Sequence, residues 1–255
     1  YNMRRHLSFR SGNPALNKNS FKVFNRNGVS GPISKNDSMT IKGTVDKTAI
    51  SLFIMIASGY YIYSEQIVSL ILPGCILGFI VAIFTIFKKQ YAPFTVPLYA
   101  LFQGLFLGGI SFMYGQMFEG IVYNAVLLTV TILLSLLLAY RSGIIKATEN
   151  FKLGVFAATG GIALFYLISF IASFFGGGLA IFDPTNGSMT SILISLFVVI
   201  IASLNLVLDF DFIEEASENG APKYMEWYGA FGLLVTLVWL YLEILRLLAK
   251  INSRD

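Results

Sequence analysis

Seven apolar runs occupy most of the chain, at about residues 48–64, 67–87, 97–117, 120–140, 153–175, 190–211 and 227–249. Each has about 20 residues, the number an α-helix needs to cross roughly 30 Å of hydrocarbon. In lipid, backbone polar groups must be satisfied within a helix or a closed barrel. Barrel strands alternate apolar and polar residues, whereas these runs are continuous. The pattern therefore predicts an all-α integral membrane protein with seven transmembrane helices. The composition agrees: 56% of residues are hydrophobic and 13% charged, against roughly 25% charged in soluble domains.

Two domains follow from the distribution of charge. Residues 1–47 are polar and carry nine Lys/Arg against Asp37 and Asp46. No apolar segment follows the early arginines, so this is not a signal peptide. It reads as a flexible cytosolic tail that can rest on anionic lipid. Residues 48–255 form the transmembrane domain. With the tail inside, the inner loops hold Lys88, Lys89, Arg141, Lys146 and Lys152, while the outer loops carry only Glu65, Glu119 and Asp183. That asymmetry sets a cytosolic N-terminus. Arg246, Lys250 and Arg254 run against it, because seven crossings place the C-terminus outside. The expected partners are the lipid bilayer and small cations, with no nucleic acid.

Several enzyme classes lack their chemistry here. The single histidine, His6, lies in the tail, and the single cysteine is Cys75. A membrane Ser–His dyad therefore has no base. The His-Glu-x-x-His helix of a zinc protease is missing. A paired-aspartate protease would need a second acid sharing a proton with Asp209, and no Gly-x-Gly-Asp stretch supplies one. The chain is read as a non-enzyme that needs no cofactor.

The remaining candidates are glycines, amides and acids. "QGLFLGG" puts Gly104 and Gly108 at the spacing that lets membrane helices approach closely, and "AATGG" puts Gly160 and Gly161 in the fifth run. All four are read as tight packing of the bundle, with a flexible gate as the alternative. Gln103, Asn124 and Asn205 are set in apolar runs and are expected to bond neighbouring helices, with a water or ion path as the alternative. Glu243 lies deep in "LVWLYLEILRLLAKI", where an ionised acid faces protein or water. Arg246, three residues on, shares its helix face. "LDFDFIEEASENG" holds several acids. Asp209 and Asp211 point about 200° apart on a helix, so they serve different surroundings. Asp211, Glu215 and Glu218 share one face, expected to be a solvated helix end. Asp209, flanked by Leu208 and Phe210, is the embedded acid of the group.

The stretch "LDFDFIEEASENGAPKYMEWYGAFGLLVTLVWLYLEILRLL" resembles the C-terminal hallmark of the Bax inhibitor family, in its bacterial YccA-like branch. "SGNPALNKNSF", "MTIKGTVDKTAISLF", "YAPFTVPLYALFQGLFLGGISFMYG" and "AYRSGIIKATENFKLGV" extend the resemblance over most of the chain. The resemblance implies a last helix surrounded by the other six, in a bacterial cytoplasmic membrane. It also implies a pH-sensitive calcium leak, with an acid on the sixth helix paired to one on the seventh. The first of these falls on Asp209. The second falls near Leu233 or Leu234, which are apolar, so the chain departs from the pattern. Glu243, about 13 Å further along the helix, is too far to replace it directly. Asp209 and Glu243 are then stations on one ion path, with calcium held only in transit at Asp209. The other reading is a non-conducting stress-response regulator that binds membrane proteins, a membrane protease among them.

Overall fold

The computed structural model describes residues 38–175 and 183–254. Most of the predicted tail, residues 1–37, and part of the fifth loop lie outside the described residues. Among the described residues there are seven long helices: α1 (Ile41–Ser64), α2 (Ile71–Phe87), α3 (Ala92–Met117), α4 (Ile121–Arg141), α5 (Glu149–Phe174), α6 (Met189–Glu218) and α7 (Met225–Asn252). All seven are long and apolar enough to cross a membrane. Short 3₁₀ turns, Val68–Leu70 and Lys89–Tyr91, lead into α2 and α3. The end of the bundle where α1 begins is called the near end, and the opposite end the far end.

Several helices outrun their apolar segments. α1 starts at Ile41 rather than at 48, because the Thr40 hydroxyl caps it by accepting from the Gly43 N–H at 3.0 Å. Hydropathy does not register that first polar turn. Its Thr44, and Thr48 and Ser51 beyond it, are nevertheless buried. Residues 38–47 thus belong to the bundle. α6 likewise continues past residue 211 to Glu218, with Asp209, Phe212 and Ala216 all buried.

α7 is the central element. Two-thirds of its apolar window is buried (67%), against 17% for α2, α4 and α5. Its neighbours are chiefly α1, α3, α4 and α6, and α2 is laid against α3. Leu206, Tyr228, Phe231, Leu234 and Leu240 have essentially no exposed surface. Tyr99 of α3 meets Phe231 edge-on at 5.0 Å. Ser111 of α3 and Tyr241 of α7 share a hydrogen bond of 2.7 Å.

The α1–α2–α3 side is closed by glycine. A Cβ on Gly108 would fall on the Gly59 carbonyl, and one on Gly104 on Ser58 and the Met55 carbonyl. A Cβ on Gly74 of α2 would stand 2.9 Å from the Phe102 carbonyl. Lipid cannot drive helices together by hydrophobic contrast, so close backbone packing contributes the association. Gly104 and Gly108 lie at this close approach of α3 to α1. Gly160 and Gly161 differ: a Cβ on either meets nothing within 4 Å. They are exposed on α5 and close no interface.

Candidate functional site

Asp209 is completely buried (0%) on α6, about 13 Å from the near end of that helix. Its Oδ2 accepts a 2.5 Å hydrogen bond from the Thr236 hydroxyl of α7. The residue that meets Asp209 is therefore Thr236, not Leu233 or Leu234. The difference is one of register: Thr236 lies two or three residues further along α7 than the position expected from sequence. The opposing group remains a hydroxyl, which can donate to a carboxylate but cannot share its titration.

The acids that follow are less solvated than expected. The Asp211 carboxylate, 22% exposed, pairs at 2.5 Å with Lys152 of α5, which is 7% exposed. Glu214 accepts a very short bond from the Tyr140 hydroxyl of α4. Asp211 and Glu214 thus fasten the near ends of α5 and α4 to α6. Glu218 is exposed and Glu215 half-buried, so the shared face of Asp211, Glu215 and Glu218 is only partly a solvated end. Asp209 turns to α7 and Asp211 to α5, as their angular separation requires.

Glu243 lies toward the far end of α7, at 2% exposure. It is held on two sides. Arg246 donates from one nitrogen to both carboxylate oxygens at 2.9 Å, and the Tyr166 hydroxyl of α5 donates at 2.6 Å. Arg246 also reaches Tyr166 at 3.1 Å. The Glu243–Arg246 pairing anticipated from spacing is present, and α5 completes it. One turn on, Lys250 is buried at 1% and donates to Ser195 at 2.8 Å. Asp183, in the loop before α6, accepts from Thr185, which holds its carboxyl below the usual carboxylate range. Glu243 and Thr236 are seven residues apart, about 10 Å along the axis, so Glu243 does not join the Asp209 pair.

Of the polar residues in the runs, Asn205 bonds across helices, donating to Thr159 of α5 at 2.8 Å. Gln103 sits against Gly78, with its Oε1 buried and without a hydrogen-bond partner. Asn124 is exposed.

The site that sequence reasoning missed is Glu226. It lies in the first turn of α7, and its exposure is 0%. Its carboxylate accepts from the Thr40 N–H at 3.0 Å and the Thr40 hydroxyl at 2.8 Å. Lys47 stands 2.6 Å away and Lys223 3.0 Å. The Met39 N–H donates to the Ala221 carbonyl at 2.6 Å. The start of α1 is thus knotted to the start of α7. A Cβ at Gly43 would fall directly on that carboxylate. The signal in sequence was a glycine in the first turn of α1 flanked by lysines, which has meaning only once an acid is brought beside it.

A model of the family described as Bax inhibitor 1 like matches residues 13–253. The chain belongs to this family. No curated protein and no solved structure matches it. As a Bax inhibitor-like membrane protein it carries its embedded acids on the two most buried helices, α6 and α7. Among the described residues no three His, Cys, Asp or Glu side chains come together as a metal site. The geometry places two carboxyl groups at membrane depth: Asp209 beside the Thr236 hydroxyl, and Glu243 between a guanidinium and a phenol.

Proposed function

We propose that this Bax inhibitor-like protein is a cation leak in a bacterial cytoplasmic membrane, passing calcium beside α7 with Asp209 as its gate. The proposal includes the YccA-like branch and a cytosolic near end. The observation that carries it is a fully buried carboxyl on α6 that accepts a hydrogen bond from a hydroxyl of α7. Acids at membrane depth are costly and mark ion paths. A carboxylate is also a hard oxygen ligand of the kind calcium takes. When protonated, Asp209 becomes a donor and loses its attraction for cations, which gives the leak a pH dependence. Lowering the pH is expected to close the path, and raising it to open it. Proteoliposomes loaded with a calcium dye test this across pH 6 to 8. Asp209→Asn is expected to abolish the pH response. Equal flux in protein and variant at every pH refutes it.

A second reading is supported by the knot at Glu226. Residues 1–37 lead into a segment fastened to α7, so a membrane partner binding the tail, a protease for example, would act on the central helix. Deleting residues 1–37 would then abolish regulation and leave flux intact.

A further inference from the structure

We propose that α5 is a hinged gate whose far half, residues 162–174, swings away from α6 and α7 about Gly160–Gly161. The near half stays pinned. The bending stands on its own observations. Its consequence, opening the far exit of the path past Asp209, rests on the leak proposed above.

α5 is seated by a ladder of three polar contacts at seven-residue spacing, two helical turns apart on one face. Lys152 binds Asp211 at 2.5 Å, Thr159 accepts from Asn205 at 2.8 Å, and Tyr166 binds Glu243 at 2.6 Å. The seam differs in kind from the α1–α3 interface. There, backbones touch and leave no room for a methyl group. Here, side chains bridge the helices. The Asn205 Oδ1 and the Ser169 Oγ are buried without a hydrogen-bond partner. A cavity of about 10 Å³ lies against Tyr166, Ser195, Glu243, Arg246 and Lys250, enough for one water with several polar neighbours. Water can replace each bridge of this seam as it opens, whereas nothing can replace a lost backbone contact between glycines. The unpartnered oxygens gain hydrogen bonds in the process.

The glycine pair sits between the second and third rungs, near the middle of the helix. Glycine within a helix costs stability relative to alanine, and glycine pairs are places where helices kink. Packing does not require either residue, since a Cβ would meet open space at both. Their remaining effect is to make the helix easy to bend. The near half is anchored by the ion pair of buried Lys152 with Asp211 at 2.5 Å. The far half is held by the Tyr166–Glu243 hydrogen bond, and its Leu164, Leu167, Ile168 and Phe170 are all more than half exposed.

The test uses the full chain in liposomes with Cys75→Ser, which removes the one free thiol. Spin labels on cysteines replacing the exposed Leu167 and Leu193 report the far half. Labels at the exposed Leu153 and Leu138 report the near half. Tyr166→Phe, which removes the third rung, is expected to at least double the long-distance population of the far pair and leave the near pair unchanged. Adding Gly160→Ala with Gly161→Ala is expected to reverse that gain and lower calcium flux about fivefold. The alanines enter open space, so the fold is retained, as an unchanged thermal transition will verify. A far pair insensitive to Tyr166→Phe, or to the alanines, overturns the hinge, as does an equal response of both pairs. Label responses as expected with no calcium flux in the parent protein would overturn the leak and leave the hinge standing.

Discussion

Gly43→Ala should destabilise the protein only while Glu226 is present. The added methyl group falls on the Glu226 carboxylate and must push it out of its knot. The two Thr40 bonds to that carboxylate are charge-assisted, each contributing about 1.5–3 kcal/mol. The lysines contribute less. Lys47 and Lys223 are 21% and 51% exposed, so each is worth about 0–1 kcal/mol. Allowing for non-additivity, the knot is worth about 3 kcal/mol. Against this, alanine in a helix gains up to about 1 kcal/mol over glycine. The expected net loss for Gly43→Ala is about 2 kcal/mol. In a Glu226→Ala background the obstacle is gone, and the same substitution should be neutral or stabilising by up to about 1 kcal/mol. The sign therefore reverses between backgrounds. Denaturant unfolding of the four proteins in mixed micelles gives the cycle directly. Equal cost in both backgrounds, within about 0.5 kcal/mol, would show that the carboxylate is not held where the geometry puts it.

Thr236→Asp would place a second acid against Asp209. Two such charges about 4 Å apart repel by about 4 kcal/mol at an effective dielectric near 20, so one acid stays protonated through neutral pH. Calcium flux in liposomes should then show a steeper dependence on pH than the parent, and an unchanged profile would refute the pairing of these positions. Gly108→Ala meets the Gly59 backbone, which cannot yield, and should cost about 1–3 kcal/mol in unfolding experiments. Gly160→Ala should cost nothing in the same assay. Arg246→Met leaves the Glu243 carboxylate at 3% exposure without its guanidinium. It should destabilise more than Arg246→Met combined with Glu243→Gln, since an unpaired buried charge costs more than a missing pair. A double-mutant cycle read by thermal unfolding checks the order.

Helix number and order were legible because each run is long and unbroken. The burial of Asp209 was legible too, from Leu208 and Phe210 beside it. The Glu243–Arg246 pair could be read from a spacing of three within one helix. Other features depend on which helices become neighbours, and periodicity within a run carries no such information. Thr236 is an ordinary polar residue until α6 brings Asp209 to it. Lys152 seemed a loop charge that fixes orientation, and it proves to be the buried partner of Asp211. The two glycine motifs looked alike in sequence. Gly104 and Gly108 face α1, whereas Gly160 and Gly161 face outward, and only the rotation of each helix in the bundle distinguishes them.

The bond between Thr40 and Glu226 joins residues 186 positions apart, at the starts of the first and last of the seven helices. During synthesis α1 enters the membrane long before Glu226 exists. Until then Lys47 has no carboxylate to meet, and the space left open by Gly43 is empty. Every intermediate that lacks α7 therefore exposes the same unfinished surface at the start of α1, and only the complete chain can cover it. Fusions that stop at successive helices should stay susceptible to a membrane-surface protease near residue 40. The fusion extending past residue 226 should be the first to resist, so that closure of this one contact marks the completed molecule.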